Sequence, residues 1–167
     1  MEPLWTPWRM PYIQAIKSGG GCVFCEKVLD GGVEADLVIH RGRHVFVLMN
    51  LYPYTTGHLL IVPYRHVASL SDLEPAEAEE MAALLQRAEQ VVEAALGARR
   101  HHVGINLGRC AGAGVEGHLH VHLVPRAARP LDDSGEPAAA TPPPALSTTV
   151  GLLRGHWIDP ADHMATS

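Results

Sequence analysis

No apolar run in this chain approaches the roughly 20 residues that a membrane-spanning helix needs, although 47% of its 167 residues are apolar. The first dozen residues, Met1 to Tyr12, carry Trp5 and Trp8 but lack the apolar core of a signal peptide. A membrane partner is therefore not expected, and the chain reads as cytoplasmic. Basic charge is also scarce. Thirteen Lys and Arg against eighteen Asp and Glu give a net charge of -5. A general nucleic-acid surface needs a basic patch, so no nucleic-acid partner is expected. A small phosphate ligand stays open, because a few donors at one site can hold it whatever the net charge. Cysteine is nearly absent: Cys22, Cys25 and Cys110 make an odd set, with two in a Cys-x-x-Cys pair. That is a poor disulfide framework, and the pair suggests a metal or no special role.

What the chain does have is histidine, eleven in all. Three of them alternate in His118-Leu119-His120-Val121-His122-Leu123-Val124. In an extended strand, residues two apart share a face. The three imidazoles then form a row, and Leu119, Val121 and Leu123 enter the core on the other side. Burying three neutral imidazoles needs a hydrogen-bond partner for each ring and gains little in packing. An anion or metal site explains the row better than three solvent-facing histidines. Imidazole is also a good nucleophile and acid–base group near neutral pH. Neighbours at ~7 Å along one strand converge poorly as three ligands on a single ion. The loop 108–117 holds several glycines and can present backbone N–H groups to a phosphate.

The surrounding pattern predicts an α+β domain with a mostly antiparallel sheet. Residues 36–40 and 43–50 read as a hairpin around Arg41-Gly42, 58–64 as a third strand, 102–107 as a fourth and 117–125 as a fifth. Residues 74–96 read as one long amphipathic helix. Pro75 lies in its first turn, and Met81, Leu84, Leu85, Ala88, Val92 and Ala95 form one stripe. Gly97 closes it. Three regions result: an arm over 1–21 ending in Ser-Gly-Gly-Gly, a domain over 22–126, and a Pro- and Ala-rich tail over 127–167 that docks back through Trp157.

These motifs together resemble the histidine-triad (HIT) superfamily. The resemblance rests on the triad strand, Trp5-Thr6-Pro7-Trp8-Arg9-Met10, Cys22-Val23-Phe24-Cys25, Asn50-Leu51-Tyr52-Pro53-Tyr54, Gly57-His58-Leu59-Leu60-Ile61-Val62-Pro63, Arg65-His66 and Asn106-Leu107-Gly108 with Ala111-Gly112-Ala113-Gly114. They look like the bacterial branch that includes diadenosine tetraphosphate phosphorylases and related nucleotide hydrolases. The resemblance implies the HIT-like five-stranded sheet. It also implies attack on the α-phosphorus of a nucleoside phosphate conjugate, with His120 as nucleophile and a covalent nucleotidyl-histidine passed on to water or phosphate. His122 would bond phosphate oxygens or donate to the leaving group, Asn106 would hold the phosphate or the His122 ring, and His58 would orient the nucleophile. Asn50 falls at the ribose, Leu48 and Leu51 flank the base, and Gly112 and Gly114 belong to the phosphate loop.

Cys22, Cys25, His66 and His118 match the structural zinc ligands of zinc-bearing members, and a homodimer is implied as well. One departure stands out. Related bacterial members follow the triad strand with a Pro-Arg-Trp pattern and a Gly-Asp-x-Asn-Phe stretch. Here Pro125-Arg126 leads into Ala127-Ala128-Arg129-Pro130. That change puts a dinucleotide substrate in question and leaves the nucleophile intact. The alternatives to a nucleotidyl hydrolase or transferase are a low-turnover nucleotide-binding partner protein, a specialised biosynthetic enzyme, and a zinc-holding structural protein.

Overall fold

The computed structural model describes residues 21–28, 36–108, 115, 117–126 and 145–157. The arm before residue 21, Cys110, Gly112, Gly114, and the tail segments 127–144 and 158–167 lie outside the described residues.

Five short strands form one antiparallel sheet: β1 (Val38–Arg41), β2 (Val45–Met49), β3 (Leu59–Pro63), β4 (His101–Ile105) and β5 (Val121–Pro125). Their spatial order is β1-β2-β3-β5-β4. Every residue of β2 and β3 is buried, which suits apolar runs covered on both faces. Pairing of Phe46 with Val62 and Leu48 with Leu60 places these four on one face. Val45, Val47, Met49, Leu59 and Ile61 point to the other.

The second face carries the larger core. Helix α1 (Pro75–Leu96) lies on it and buries Met81, Ala88, Val91 and Val92. Leu84, Leu85 and Ala95 of the predicted stripe pack partly buried beside them. The helix starts where the sequence suggests. Glu74 is the N-cap, Pro75 occupies the first turn, and the Glu74 N–H donates to Glu77 Oε2 at 2.8 Å. It ends at Gly97, whose φ of 67° is left-handed and whose N–H returns to Glu93 O. That conformation favours glycine.

A second helix, α2 (Leu146–Trp157), packs against α1 and β1. It lies inside the stretch expected to be tail and includes Trp157, the residue expected to dock it. Thr149, Val150, Leu153 and Trp157 are its buried stripe. Trp157 stacks on His40 at 5.1 Å between ring centroids, and Arg154 donates to the carbonyls of Val38 and Asp36.

The other face is smaller. Phe24, Val38, Phe46, Leu48, Leu60 and Val62 cluster there, with Phe24 beginning a short π-helical turn, Phe24–Val28. The histidine strand differs from expectation at its start. Hydrogen-bonded pairing begins at Val121 and not at Gly117, because the Leu119 N–H bonds to Val67 O beyond the end of β3. The alternation survives regardless: Leu119, Val121 and Leu123 enter the larger core.

Candidate active site and metal centre

Four histidines reach the smaller face by different routes. His58 immediately precedes β3, His118 and His120 lead into β5, and His122 lies on it. Leu60 pairs with His122 across β3 and β5, and Gly104 faces His122 from β4. His58, His118 and His120 are buried. The rings of His120 and His122 meet edge to face at 4.8 Å, and those of His58 and His122 lie 5.2 Å apart.

Backbone groups fix which nitrogen of each neutral ring carries the proton. A main-chain N–H can only donate and a carbonyl can only accept. The Tyr54 N–H donates to His58 Nδ1 at 3.1 Å, so the proton of His58 sits on Nε2. That nitrogen lies 3.0 Å from His122 Nδ1. His122 therefore accepts at Nδ1 and carries its own proton on Nε2. His120 has the opposite form. Its Nδ1–H donates to His118 O at 2.8 Å, which leaves the lone pair on Nε2. Burial lowers the pKa of His120, with the bond to His118 O opposing the shift. Burial thus favours the neutral ring, whose Nε2 lone pair is available.

His118 turns away from this group. Its Nε2–H donates to Pro63 O at 2.9 Å, and Nδ1 faces Cys22 Sγ at 3.2 Å and Cys25 Sγ at 3.5 Å. His66 Nδ1 lies 3.3 Å from Cys25 Sγ. The ligand atoms of Cys22, Cys25, His66 and His118 all fall within 4.8 Å of one another. Tetrahedral zinc takes bonds of about 2.3 Å to sulfur and about 2.0 Å to nitrogen, which this cluster can meet with small adjustments. The donor set fits as well. Pro63 O fixes the tautomer that frees Nδ1 of His118, as a backbone carbonyl commonly does for a ligating imidazole. Burial lowers the pKa of His118, which also favours the neutral, ligating form. These four residues could hold a metal ion. Its role would be structural: it would tie the turn at Cys22–Cys25 to the loop after β3 and to the start of the histidine strand.

The remaining expected site residues spread around this core. Asn50 Oδ1 accepts from the Tyr52 N–H at 2.9 Å, and its amide nitrogen is 3.5 Å from both ring nitrogens of His58. Such equal distances mean contact with the ring as a whole. Asn106 is half-buried directly after β4, where continuing the β4–β5 register brings it beside His120 sooner than His122. Leu48 is buried in the small cluster, whereas Leu51 is 37% exposed. His58 contacts His122, whose ring in turn meets that of His120. Two contributors were not singled out from sequence. Tyr54 sets the His58 tautomer through its backbone and stacks on that ring at 5.2 Å. Phe24 touches both His118 and His120, and its place between two cysteines was the available signal.

Comparison with known proteins agrees with this geometry. Residues 32–129 match the HIT domain family model. The chain is 38% identical over 133 residues to AP-4-A phosphorylase of Mycobacterium tuberculosis, spanning 75% of this chain and 68% of that protein. It is 36% identical over 89 residues to bis(5'-nucleosyl)-tetraphosphatase [asymmetrical] of Schizosaccharomyces pombe, spanning 53% of this chain and 48% of that protein. Among solved structures, a Zn-bound histidine triad family protein from Mycobacterium smegmatis superposes with a TM-score of 0.67 at 27% identity, covering 88% of this chain and 98% of that one.

Proposed function

The chain belongs to the HIT domain family, and from that premise we propose that it is a nucleotidyl hydrolase or transferase working through a covalent nucleotidyl-histidine. Its substrate is a nucleoside phosphate conjugate: a dinucleoside polyphosphate, a phosphoramidate or a similar compound. The observation that carries this reading is the opposed tautomers of the adjacent rings, a lone pair on Nε2 of His120 beside a proton on Nε2 of His122. One ring is set to attack and the other to donate.

In the first step His120 Nε2 attacks the α-phosphorus. The bond from phosphorus to the leaving oxygen or nitrogen breaks as His122 Nε2–H donates a hydrogen bond to that atom, and the departing group takes its proton from solvent. In the second step water or phosphate attacks the same phosphorus, a water nucleophile gives its proton to solvent, and the P–N bond breaks to restore His120. Splitting one displacement into two lowers the barrier of each. Asn106, Gly112 and Gly114 are assigned to the phosphate, Asn50 to the ribose, and Leu48 and Leu51 to the base. Residues 22–126 form the reacting domain. The arm 1–21 and the tail 127–167 flank it, with α2 docked on the far face.

The proposed assembly is a homodimer. Among the described residues β4 has one strand neighbour, β5, and Val103 on it is 47% exposed. Light scattering at monomer mass would reject this. Among the described residues no helix is long and apolar enough to cross a membrane. The two thiols at the metal centre suit a cytoplasmic setting, where cysteines stay reduced.

The test is intact-protein mass spectrometry after mixing with a panel of adenylylated and guanylylated compounds and quenching in base. A nucleoside-monophosphate adduct present in the wild type and absent in His120→Ala is the expected result. Turnover without any such adduct, or an adduct that persists in His120→Ala, would overturn the assignment.

A further inference from the structure

Phe24 sits between the two cysteines of the metal centre and against the nucleophile. Its ring is 4% exposed. Ring centroids lie 5.3 Å from His118 at 75° and 5.3 Å from His120 at 55°. Its other neighbours are the apolar side chains of the small cluster, so it is wedged and cannot retreat from His120 without leaving a cavity. The imidazole of His120 is otherwise held at Nδ1 by His118 O and on one side by the edge-to-face contact with His122. The Cβ–Cγ bond and that hydrogen bond hold one edge of the ring, and the Nε2 edge keeps whatever tilt its neighbours allow. The Phe24 contact limits that tilt on the side away from the sheet-bound rings, and tilt is what aims Nε2 at a phosphorus atom.

The placement of Phe24 in turn depends on the cysteines. Cys22 precedes it by two residues and Cys25 follows it by one. A metal bound by both would pin the backbone on either side of Phe24, in the turn that the Glu26 N–H closes by donating to Cys22 O at 2.9 Å.

We propose that Phe24 is a positioning residue that couples occupancy of the Cys22–Cys25–His66–His118 centre to the aim of the His120 ring. This rests on the reading of His120 as the nucleophile. The coupling needs no movement of the sheet. Losing the metal loosens the turn, the wedge relaxes, and the nucleophile samples unproductive tilts. Misplacement of a reacting group by about 1 Å costs up to roughly 100-fold in rate, so a small loss of order is enough.

The experiment compares wild type, Phe24→Leu and Phe24→Tyr, each zinc-loaded and chelator-treated. Three readouts are taken: zinc per chain, the rate of adduct formation with diadenosine tetraphosphate, and the NMR shifts of the His120 ring C–H groups. Zinc-loaded Phe24→Leu is expected to keep its zinc, to form adduct roughly tenfold more slowly at nearly unchanged KM, and to show displaced His120 ring signals. Phe24→Tyr, which keeps the ring, is expected to stay near wild type. Chelation should slow the wild type and shift its His120 signals, and should change Phe24→Leu much less, because the link is already cut. Wild-type labelling rates and unmoved His120 signals in Phe24→Leu would overturn the proposal. So would chelation effects as large in that variant as in wild type. Failure of the wild type to label at all would instead remove the nucleophile assignment, and the NMR comparison would still report whether Phe24 couples the two sites.

Discussion

Nε2 of His58 stands 3.0 Å from Nδ1 of His122, and the Tyr54 N–H on the far side of the His58 ring dictates that His58 is the donor. The consequence is a proton on Nε2 of His122, the position from which it can reach a leaving group. Phenylalanine at position 58 would keep the bulk and lose the bond, so His122 would sample both tautomers. The expected outcome for His58→Phe is a kcat lower by about 10- to 100-fold with KM little changed, since a hydrogen-bond donor aimed at charge that develops on the leaving atom is worth about that much or more. Steady-state kinetics on the best substrate of the panel checks it. A raised KM at constant kcat would place His58 in binding and not in stabilisation of the leaving group.

The hairpin that begins the sheet is held by a carboxylate from the helix behind it. Glu80 accepts from the backbone N–H groups of Arg43, His44 and Val45. A Cβ added at Gly42 would lie 2.6 Å from Glu80 Oε1 and 2.7 Å from Val45 O. Glu80→Ala should therefore cost on the order of 1–3 kcal/mol by stranding these donors, with a smaller loss for Glu80→Gln. Gly42→Ala should also destabilise, because one of the atoms it meets is backbone. Urea denaturation midpoints measure all three, and an unchanged midpoint in Glu80→Ala would show that water satisfies the hairpin equally well.

Acid should weaken the junction between β3 and α1. Glu77 is buried and accepts from Arg65 Nε and Nη2 at 2.8 and 2.6 Å. The Arg65 bonds, opposed by burial and aided by the Glu74 N–H, lower its pKa from 4.5 to about 2. The folded value lies below the unfolded one, so the contribution to stability is complete above about pH 4.5 and disappears as pH falls toward 2. Wild type should exceed Glu77→Gln in stability at pH 7, and the gap should close progressively between pH 4.5 and pH 2. A gap that is constant across that range would contradict the assignment.

Trp157 offers a control on the other side of the sheet. It packs in the large core against His40, and its carbonyl is 3.5 Å from Arg87 Nη2. Trp157→Ala should cost about 3–5 kcal/mol while zinc content and the rate per folded molecule stay at wild-type values. A selective loss of rate in a fully folded variant would mean that α2 reaches the site.

Much of this was legible in the sequence because it is periodic or local. The alternation through Leu119, Val121 and Leu123 set the inward face of β5, and Pro75 with Gly97 bounded α1 closely. The Cys-x-x-Cys pair and His118 pointed to a metal centre through resemblance to a known family, and the fold brings the four ligands together. What escaped notice depends on contacts between residues far apart in the chain. Nothing near Glu80 announces that it caps a hairpin 35 to 37 residues earlier. The pairing of His58 with His122 follows from strand order, which places β3 beside β5 and is invisible to local pattern. The start of α2 was hidden by the prolines just before it, and the late start of β5 by the bond of Leu119 to the loop after β3.

The central claim is a covalent bond between His120 and the α-phosphorus, and the stereochemical course of the reaction tests it most directly. A substrate made chiral at that phosphorus by sulfur and oxygen-isotope labelling is turned over once, and the configuration of the product is determined. Two successive in-line displacements, onto Nε2 of His120 and then off it, predict retention. Inversion would mean that the acceptor attacks the substrate directly, and His120 would then be a phosphate-binding group with no bond to phosphorus.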